Sequence, residues 1–255
     1  MSLVEHLTEL RGRIIWVLVV FVLAMIGGLI VADPVLNFLK NQEPARSISW
    51  NAFSPWDAIG IYMQVSMVIA LAVCLPVILY HFWAFVRPGL RENEQKATLK
   101  YIPFAALLFL IGLAFSYFIV FPMAFEFTLM VTHNLQLTET YGITQYFTFM
   151  FNILLPISLL FELPIVVMFL TRIRILNPLR LRKMRRYAYV ILVIVATVVT
   201  PPDLISDILV AIPLILLYEL SVLLSTLVYR KQLEQERRFE EEGAAEGEGL
   251  LSPRQ

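Results

Sequence analysis

A single cysteine, Cys74, stands in the 255-residue chain, and it lies inside an apolar run. That excludes a disulfide framework within the chain and a Cys-rich metal site. The three histidines, His6, His81 and His133, are too scattered to form a metal-binding cluster. No Gly-rich loop ending in Lys-Ser/Thr is present to cradle a phosphate. No Gly-x-Ser-x-Gly nucleophile elbow is present either. Intramembrane proteolysis would need a Ser/His pair, two buried aspartates or His-Glu-x-x-His, and the chain offers none of these. Charge is scarce as well: 16% of residues are Asp, Glu, Lys or Arg, against about a quarter in a soluble domain. Net charge is zero, so the total favours no class of partner.

What fills the chain is apolar: 59% of residues are hydrophobic. The segments at 14–32, 63–86, 101–125, 146–171, 187–200 and 205–229 predict six transmembrane helices in an all-α membrane protein. A bilayer core of about 30 Å needs about 20 helical residues. The fifth segment is short, because 187–200 spans only about 21 Å before Pro201 and Pro202 force a turn. The first segment follows Glu5 and Glu9 and lacks a small-x-small cleavage site, so it reads as a retained helix rather than a signal peptide.

Orientation follows from the cations. Arg11 and Arg13 precede the first segment, four Lys/Arg lie in 87–100, seven in 172–186 and five in the tail. The opposite loops hold only Lys40 and Arg46. Lys and Arg concentrate on the cytoplasmic side, so both termini are expected there. The basic 172–186 loop suits anionic headgroups better than nucleic acid.

The outer loop at 33–62 starts at Asp33-Pro34, with 34–40 expected as a short separate helix and Trp50, Phe53 and Trp56 as an interfacial belt. Residues 1–230 are expected as one membrane domain. The tail, 231–255, begins as a charged helix and ends in Gly/Glu residues that read as disordered. Pro76, Pro103, Pro122, Pro156, Pro164 and Pro213 each predict a bend. Several bent helices together favour a curved sheet of helices over a straight bundle.

Against this pattern, acidic residues beside or inside the apolar runs are the candidate sites. Glu9 precedes the first run and Glu94 follows the second, where a basic flank is expected. Each has a plainer reading: Glu9 as a helix-start charge or an i,i+4 partner of Arg13, and Glu94 as a partner of Arg91 or Lys96. Glu162 lies well inside the fourth run, where an ionised side chain costs about 2.5–3.5 kcal/mol. It is a contact point for a partner or substrate, or a structural carboxyl satisfied locally. Glu219 in the sixth run reads the same way, with packing against another helix as the alternative. Asp203 and Asp207 sit at the outer turn, where Asp203 suits a helix cap.

Glu5-His6-Leu7-Thr8-Glu9-Leu10-Arg11-Gly12-Arg13 resembles the N-terminal signature of the TatC family, the multi-spanning core of the twin-arginine protein translocase. Phe82-Trp83-Ala84-Phe85-Val86-Arg87-Pro88-Gly89-Leu90 with Glu94, then Phe161-Glu162-Leu163-Pro164, then Thr200-Pro201-Pro202-Asp203, match further signatures in order. The resemblance implies a concave, glove-like receptor of the bacterial cytoplasmic membrane that recognises the Arg-Arg pair of preprotein signal peptides. It implies that Glu9 and Glu94 form the acidic site, with Arg11 and Phe85 beside it, and that Glu162 lies on the concave face. Asp203 and Asp207 fall where small single-span partners, TatA and TatB, would dock; some relatives have Gln in place of Asp207. No cofactor is implied. The expected partners are signal peptides, TatA/TatB-type chains, lipids and further copies of the chain, with the proton-motive force as energy source. The alternative, a secondary transporter coupled through Glu162, predicts inverted repeats with broken helices. Only a weak echo between Leu75–Ile78 and Leu163–Val166 supports it.

Overall fold

The computed structural model describes residues 3–87, 95, 99–200 and 204–251, and every regular element among them is helical. Glu92, Glu94 and Asp203 lie outside the described residues. Helix α1 is Leu3–Lys40, α2 is Asp57–Val86 and α3 is Tyr101–Phe115. A π-helical turn, Ser116–Val120, leads into α4, Phe121–Asn134. Then come α5 (Ile143–Leu160), α6 (Leu163–Arg172), α7 (Pro178–Lys183), α8 (Arg185–Val199) and α9 (Leu204–Leu251).

Five stretches among the described residues are long and apolar enough to cross a membrane: Thr8–Lys40, Asp57–Val86, Tyr101–Asn134, Ile143–Arg172 and Asp207–Gln235. Helix α8, formed by the fifth apolar segment, has 15 residues and covers only about 22 Å.

Helix α1 runs unbroken through Asp33-Pro34, which corrects the expectation of a loop and a separate helix there. A proline removes one backbone hydrogen bond. Packing outweighs that loss: Gly28, Ala32 and Leu36 are the buried residues of α1 among those described. Spaced four apart, they form one seam against α2. The seam is tight, because a Cβ on Gly28 would lie 2.9 Å from the Ser66 backbone oxygen. On another side of α1, Trp16, Leu23 and Ile30 are exposed as a lipid-facing side chain would be.

The prolines act in different ways. Pro103 stands in the first turn of α3, where its missing N–H has no helical partner to lose. Pro122 follows the π turn, which absorbs the irregularity. Pro164 ends the run of bonds from α5: the Glu162 N–H reaches back only to the Leu159 carbonyl, at 3.1 Å, and α6 restarts at Leu163. Helices α2, α5 and α9 run on through Pro76, Pro156 and Pro213.

The core centres on α5. Phe147, Met150, Ile153 and Ile157 are fully buried against Ile61 and Val65 of α2, Phe121 of α4 and Leu214 and Val222 of α9. Gly112 of α3 meets α5 closely, since a Cβ there would lie 2.8 Å from the Ser158 Cα. Helix α6 packs on α9 through small polar residues, with the Thr171 and Ser225 hydroxyls 2.7 Å apart and fully buried. Small residues let helix backbones approach within lipid, where the hydrophobic effect does not drive association.

Candidate functional site

The end of the bundle that carries the N-terminus brings α1 against the last turns of α2. Glu9 and Arg13 are one helical turn apart, so they share a face. Arg13 Nε donates to Glu9 Oε1 at 3.1 Å, and Nη2 donates to the same oxygen. Nη2 also reaches the Ala84 carbonyl of α2 at 3.1 Å. The plainer reading of Glu9, as the partner of Arg13, therefore describes one of its two oxygens. The other, Oε2, is shielded from solvent and has no hydrogen-bond partner among the described residues.

Next to this pair lies a groove of about 240 Å³ lined by Leu10, Arg13, Ile14 and Val17 of α1 and Ile78, His81, Phe82 and Phe85 of α2, among others. Phe85 is thus on the groove wall and half-buried, while Arg11 is exposed. At the end of α2, Arg87 lies over the Trp83 ring at 5.6 Å and donates to Gln95 Oε1 at 2.9 Å. A carboxylate with a free oxygen beside an apolar trough can hold a cation that has an apolar neighbour.

The other acidic candidates are dispersed. Glu162 sits at the α5–α6 break, buried, with neither carboxylate oxygen bonded. Glu219 of α9 accepts from Arg185 at 2.6 Å and from the Tyr189 hydroxyl. Asp207 accepts from Thr200 Oγ1 at 2.8 Å and from Thr197 Oγ1 at 3.4 Å, which ties the start of α9 to the end of α8. Arg13, which holds Glu9, lines the same groove as Phe85; Glu162, Asp207 and Glu219 belong to other parts of the bundle. No group of three or more His, Cys, Asp or Glu among the described residues is arranged to hold a metal.

The family model for the Sec-independent protein translocase protein TatC matches residues 5–213. The chain belongs to the TatC family. A TatC protein of Halalkalibacterium halodurans is 47% identical over 248 residues, covering 95% of this chain and 98% of its own. TatCy of Bacillus subtilis is 44% identical, covering 91% of both chains. Among solved structures, one described as the twin arginine translocase receptor TatC superposes with a TM-score of 0.72 at 31% identity, covering 88% of this chain and 99% of that one. A second, in the detergent DDM, gives 0.75 over 86% of this chain. The TatC family places the chain among multi-pass proteins of the cytoplasmic membrane and makes it a component of a protein translocase, a transport protein rather than a catalytic enzyme.

Apart from Phe85 and Arg13, the residues of this groove are not marked out in the sequence of the TatC chain. Leu10, Ile14 and Val17 recur at i, i+4, i+7, and Ile78, His81, Phe82 and Phe85 at i, i+3, i+4, i+7. Those two stripes were available as a signal, but inside long apolar runs they are indistinguishable from lipid-facing residues.

Proposed function

We propose that this chain is the receptor and core subunit of a twin-arginine translocase, binding the Arg-Arg motif of signal peptides at a cytoplasmic acidic site. The observation that carries the reading is Glu9: one oxygen is pinned by Arg13, the other is unpartnered, and an apolar groove adjoins it. Arginine matches such a carboxylate because its planar fork can bond bidentately and stays charged, which lysine cannot copy. Hydrogen bonds to charged groups contribute about 1.5–3 kcal/mol each. Glu94 serves as the second carboxylate, with Arg11 and Phe85 beside the pair; the resemblance supports this assignment. The apolar part of the signal then lies along the concave helix surface, near Glu162.

In this reading α8 is a sixth, short crossing and both termini are cytoplasmic, which the distribution of Lys and Arg supports. A 15-residue crossing implies tilt or a locally thinned bilayer. The α8–α9 turn with Asp203 and Asp207 recruits TatA/TatB-type chains, and Glu219 lies farther along α9. Further copies of the chain join the complex, the proton-motive force drives transport, and the charged tail 231–255 stays in the cytoplasm.

Binding of an Arg-Arg and a Lys-Lys signal peptide to the purified chain in nanodiscs tests the reading. Glu9→Ala and Glu94→Ala are expected to abolish Arg-Arg binding, and Lys-Lys peptide is expected to bind poorly throughout. Equal binding in all combinations would leave the two carboxylates as helix-end charges and sink the proposal.

A further inference from the structure

Helices α2, α3 and α6 pack together through Leu75, Ala105, Phe109 and Ile165. Beyond that contact, towards the end of the bundle that carries the N-terminus, a narrow crevice of about 40 Å³ lies between them. It is lined by Leu79 and Trp83 of α2, Tyr101 and Ile102 of α3, and Val166 and Phe169 of α6, among others. The rings of Phe82 and Phe169 bound it, with centres 5.0 Å apart. Phe82 and Val166 are exposed, so its mouth is apolar. Trp83 is buried, and its Nε1, shielded from solvent, has no hydrogen-bond partner among the described residues. A buried donor without an acceptor is costly, which favours an acceptor supplied from outside the chain.

All three helices present the same order towards that end. On α2, Leu79 comes first, then Trp83, then Arg87, whose guanidinium lies 5.6 Å from the Trp83 ring. Helix α3 runs the opposite way, so the order is Ile102, Tyr101 and the exposed Lys100 that precedes the helix. On α6, Val166 and Phe169 are followed by Arg172 in the last turn. Each series runs apolar, aromatic, cationic. Each also stands at the end of a membrane-length stretch: Asp57–Val86, Tyr101–Asn134 and Ile143–Arg172. Aromatic side chains with a polar tip sit at headgroup level in such places. A phospholipid entering from the bilayer presents acyl chain, ester carbonyl and phosphate in the matching order. The 87–100 segment adds four Lys/Arg against two carboxylates, Glu92 and Glu94, an excess of two positive charges.

We propose that this crevice binds an anionic diacyl phospholipid of the phosphoglycerol type. The crevice has room for about three groups the size of a water or a methylene. The methylenes nearest the glycerol occupy it, and the adjoining ester carbonyl accepts from Trp83 Nε1. The phosphate meets Arg87 and Lys100, and the rest of the chain passes over Phe82 and Val166 into the bilayer. A headgroup with its own ammonium would offset the attraction of the cations, so a net negative headgroup is preferred. The inference stands apart from the signal-peptide reading. The groove beside Glu9 lies between α1 and α2, and the two sites share only Phe82 among the described residues.

The test is lipid retention. The full chain is reconstituted in nanodiscs containing equal amounts of phosphoglycerol and phosphocholine diester lipids, extracted into mild detergent, and its bound lipid measured by mass spectrometry. Preferential retention of the phosphoglycerol lipid is expected, with a loss of about fivefold in Trp83→Phe and about tenfold in Arg87→Gln. Trp16→Phe, on the exposed side of α1, is expected to retain lipid like the parent. Equal retention of both headgroups, parental retention in Trp83→Phe and Arg87→Gln, or an equal loss in Trp16→Phe overturns the proposal. If the variants do not fold, the unaltered chain still decides. A phosphoglycerol lipid with ether-linked chains lacks the carbonyl and must be retained about fivefold less than the diester. Equal retention of ether and ester lipids rejects the bond to Trp83. A photoreactive group placed at Ile102 that captures the signal peptide in preference to lipid assigns the crevice to the peptide and overturns the proposal as well.

Discussion

The Arg13 guanidinium of α1 donates to the Ala84 carbonyl of α2 at 3.1 Å while it holds Glu9. One side chain therefore sets both the position of a carboxylate and the approach of two helices. Arg13→Gln is expected to weaken Arg-Arg peptide binding by about tenfold, as Glu9 loses its fixed geometry. Arg13→Lys should fall between, since an ammonium cannot fork. Tighter binding in Arg13→Gln would mean that Arg13 competes with the peptide instead of positioning Glu9.

Glu162 poses the opposite situation, a buried carboxyl whose two oxygens have no bonded partner. Glu162→Gln keeps the shape and removes the possibility of charge. Thermal unfolding in detergent should show a melting temperature unchanged or raised, by roughly 2–4 °C for each kcal/mol gained. Export of a twin-arginine reporter should fall if the carboxyl contacts substrate or partner. A large drop in melting temperature would instead mark Glu162 as a structural support.

Glu219 is bonded by Arg185 and Tyr189 and so joins α8 to α9. Both ends of the ion pair are partly exposed, which limits its contribution. Glu219→Ala is expected to cost about 1–2 kcal/mol, and Tyr189→Phe less. Melting curves of the two variants in one detergent give the comparison, and the reverse order would count against this division of the site.

Gly28 stands where backbone meets backbone. The nearest atom to an added Cβ, at 2.9 Å, is the Ser66 carbonyl oxygen, which cannot rotate away. Gly28→Ala is expected to destabilise by about 1–3 kcal/mol through overpacking, and Gly28→Leu should separate α1 from α2. Loss of a cysteine cross-link engineered between the two helices reports that separation.

The Thr171–Ser225 contact tests how much a buried hydroxyl pair contributes within the membrane. A double-mutant cycle of Thr171→Val and Ser225→Ala is expected to give a coupling of about 0.6 kcal/mol, within an upper range of about 1.7. The Thr171 hydroxyl has another acceptor to turn to, since its Oγ1 lies 2.8 Å from the Val167 carbonyl of its own helix.

Much of the architecture was legible from residue order. Apolar runs of membrane length specify helices, because unpaired backbone groups are intolerable in lipid. The short fifth run, closed by Pro201 and Pro202, announced the 15 residues of α8. The prolines were less informative. Pro103 and Pro122 look alike in sequence, yet one falls in a first turn and the other after a π turn. Position within a helix sets a proline's effect, and only the assembled structure defines that position. Pro34 misled for the same reason: the loop reading could not see that Leu36 continues the Gly28 and Ala32 seam.

Composition, apolar periodicity and the placement of Lys and Arg determined by themselves that this chain is a helical membrane protein, and four ordered motifs determined its family. These are properties of single segments and short runs, governed by transfer into lipid and local backbone bonding. Tertiary structure alone decided that Arg13 ties Glu9 to Ala84 and that Glu219 is satisfied while Glu162 is not. Each of those depends on which helices meet and at what height. Interhelical contact is chosen by small residues and shape over long sequence separations, and no local pattern encodes it.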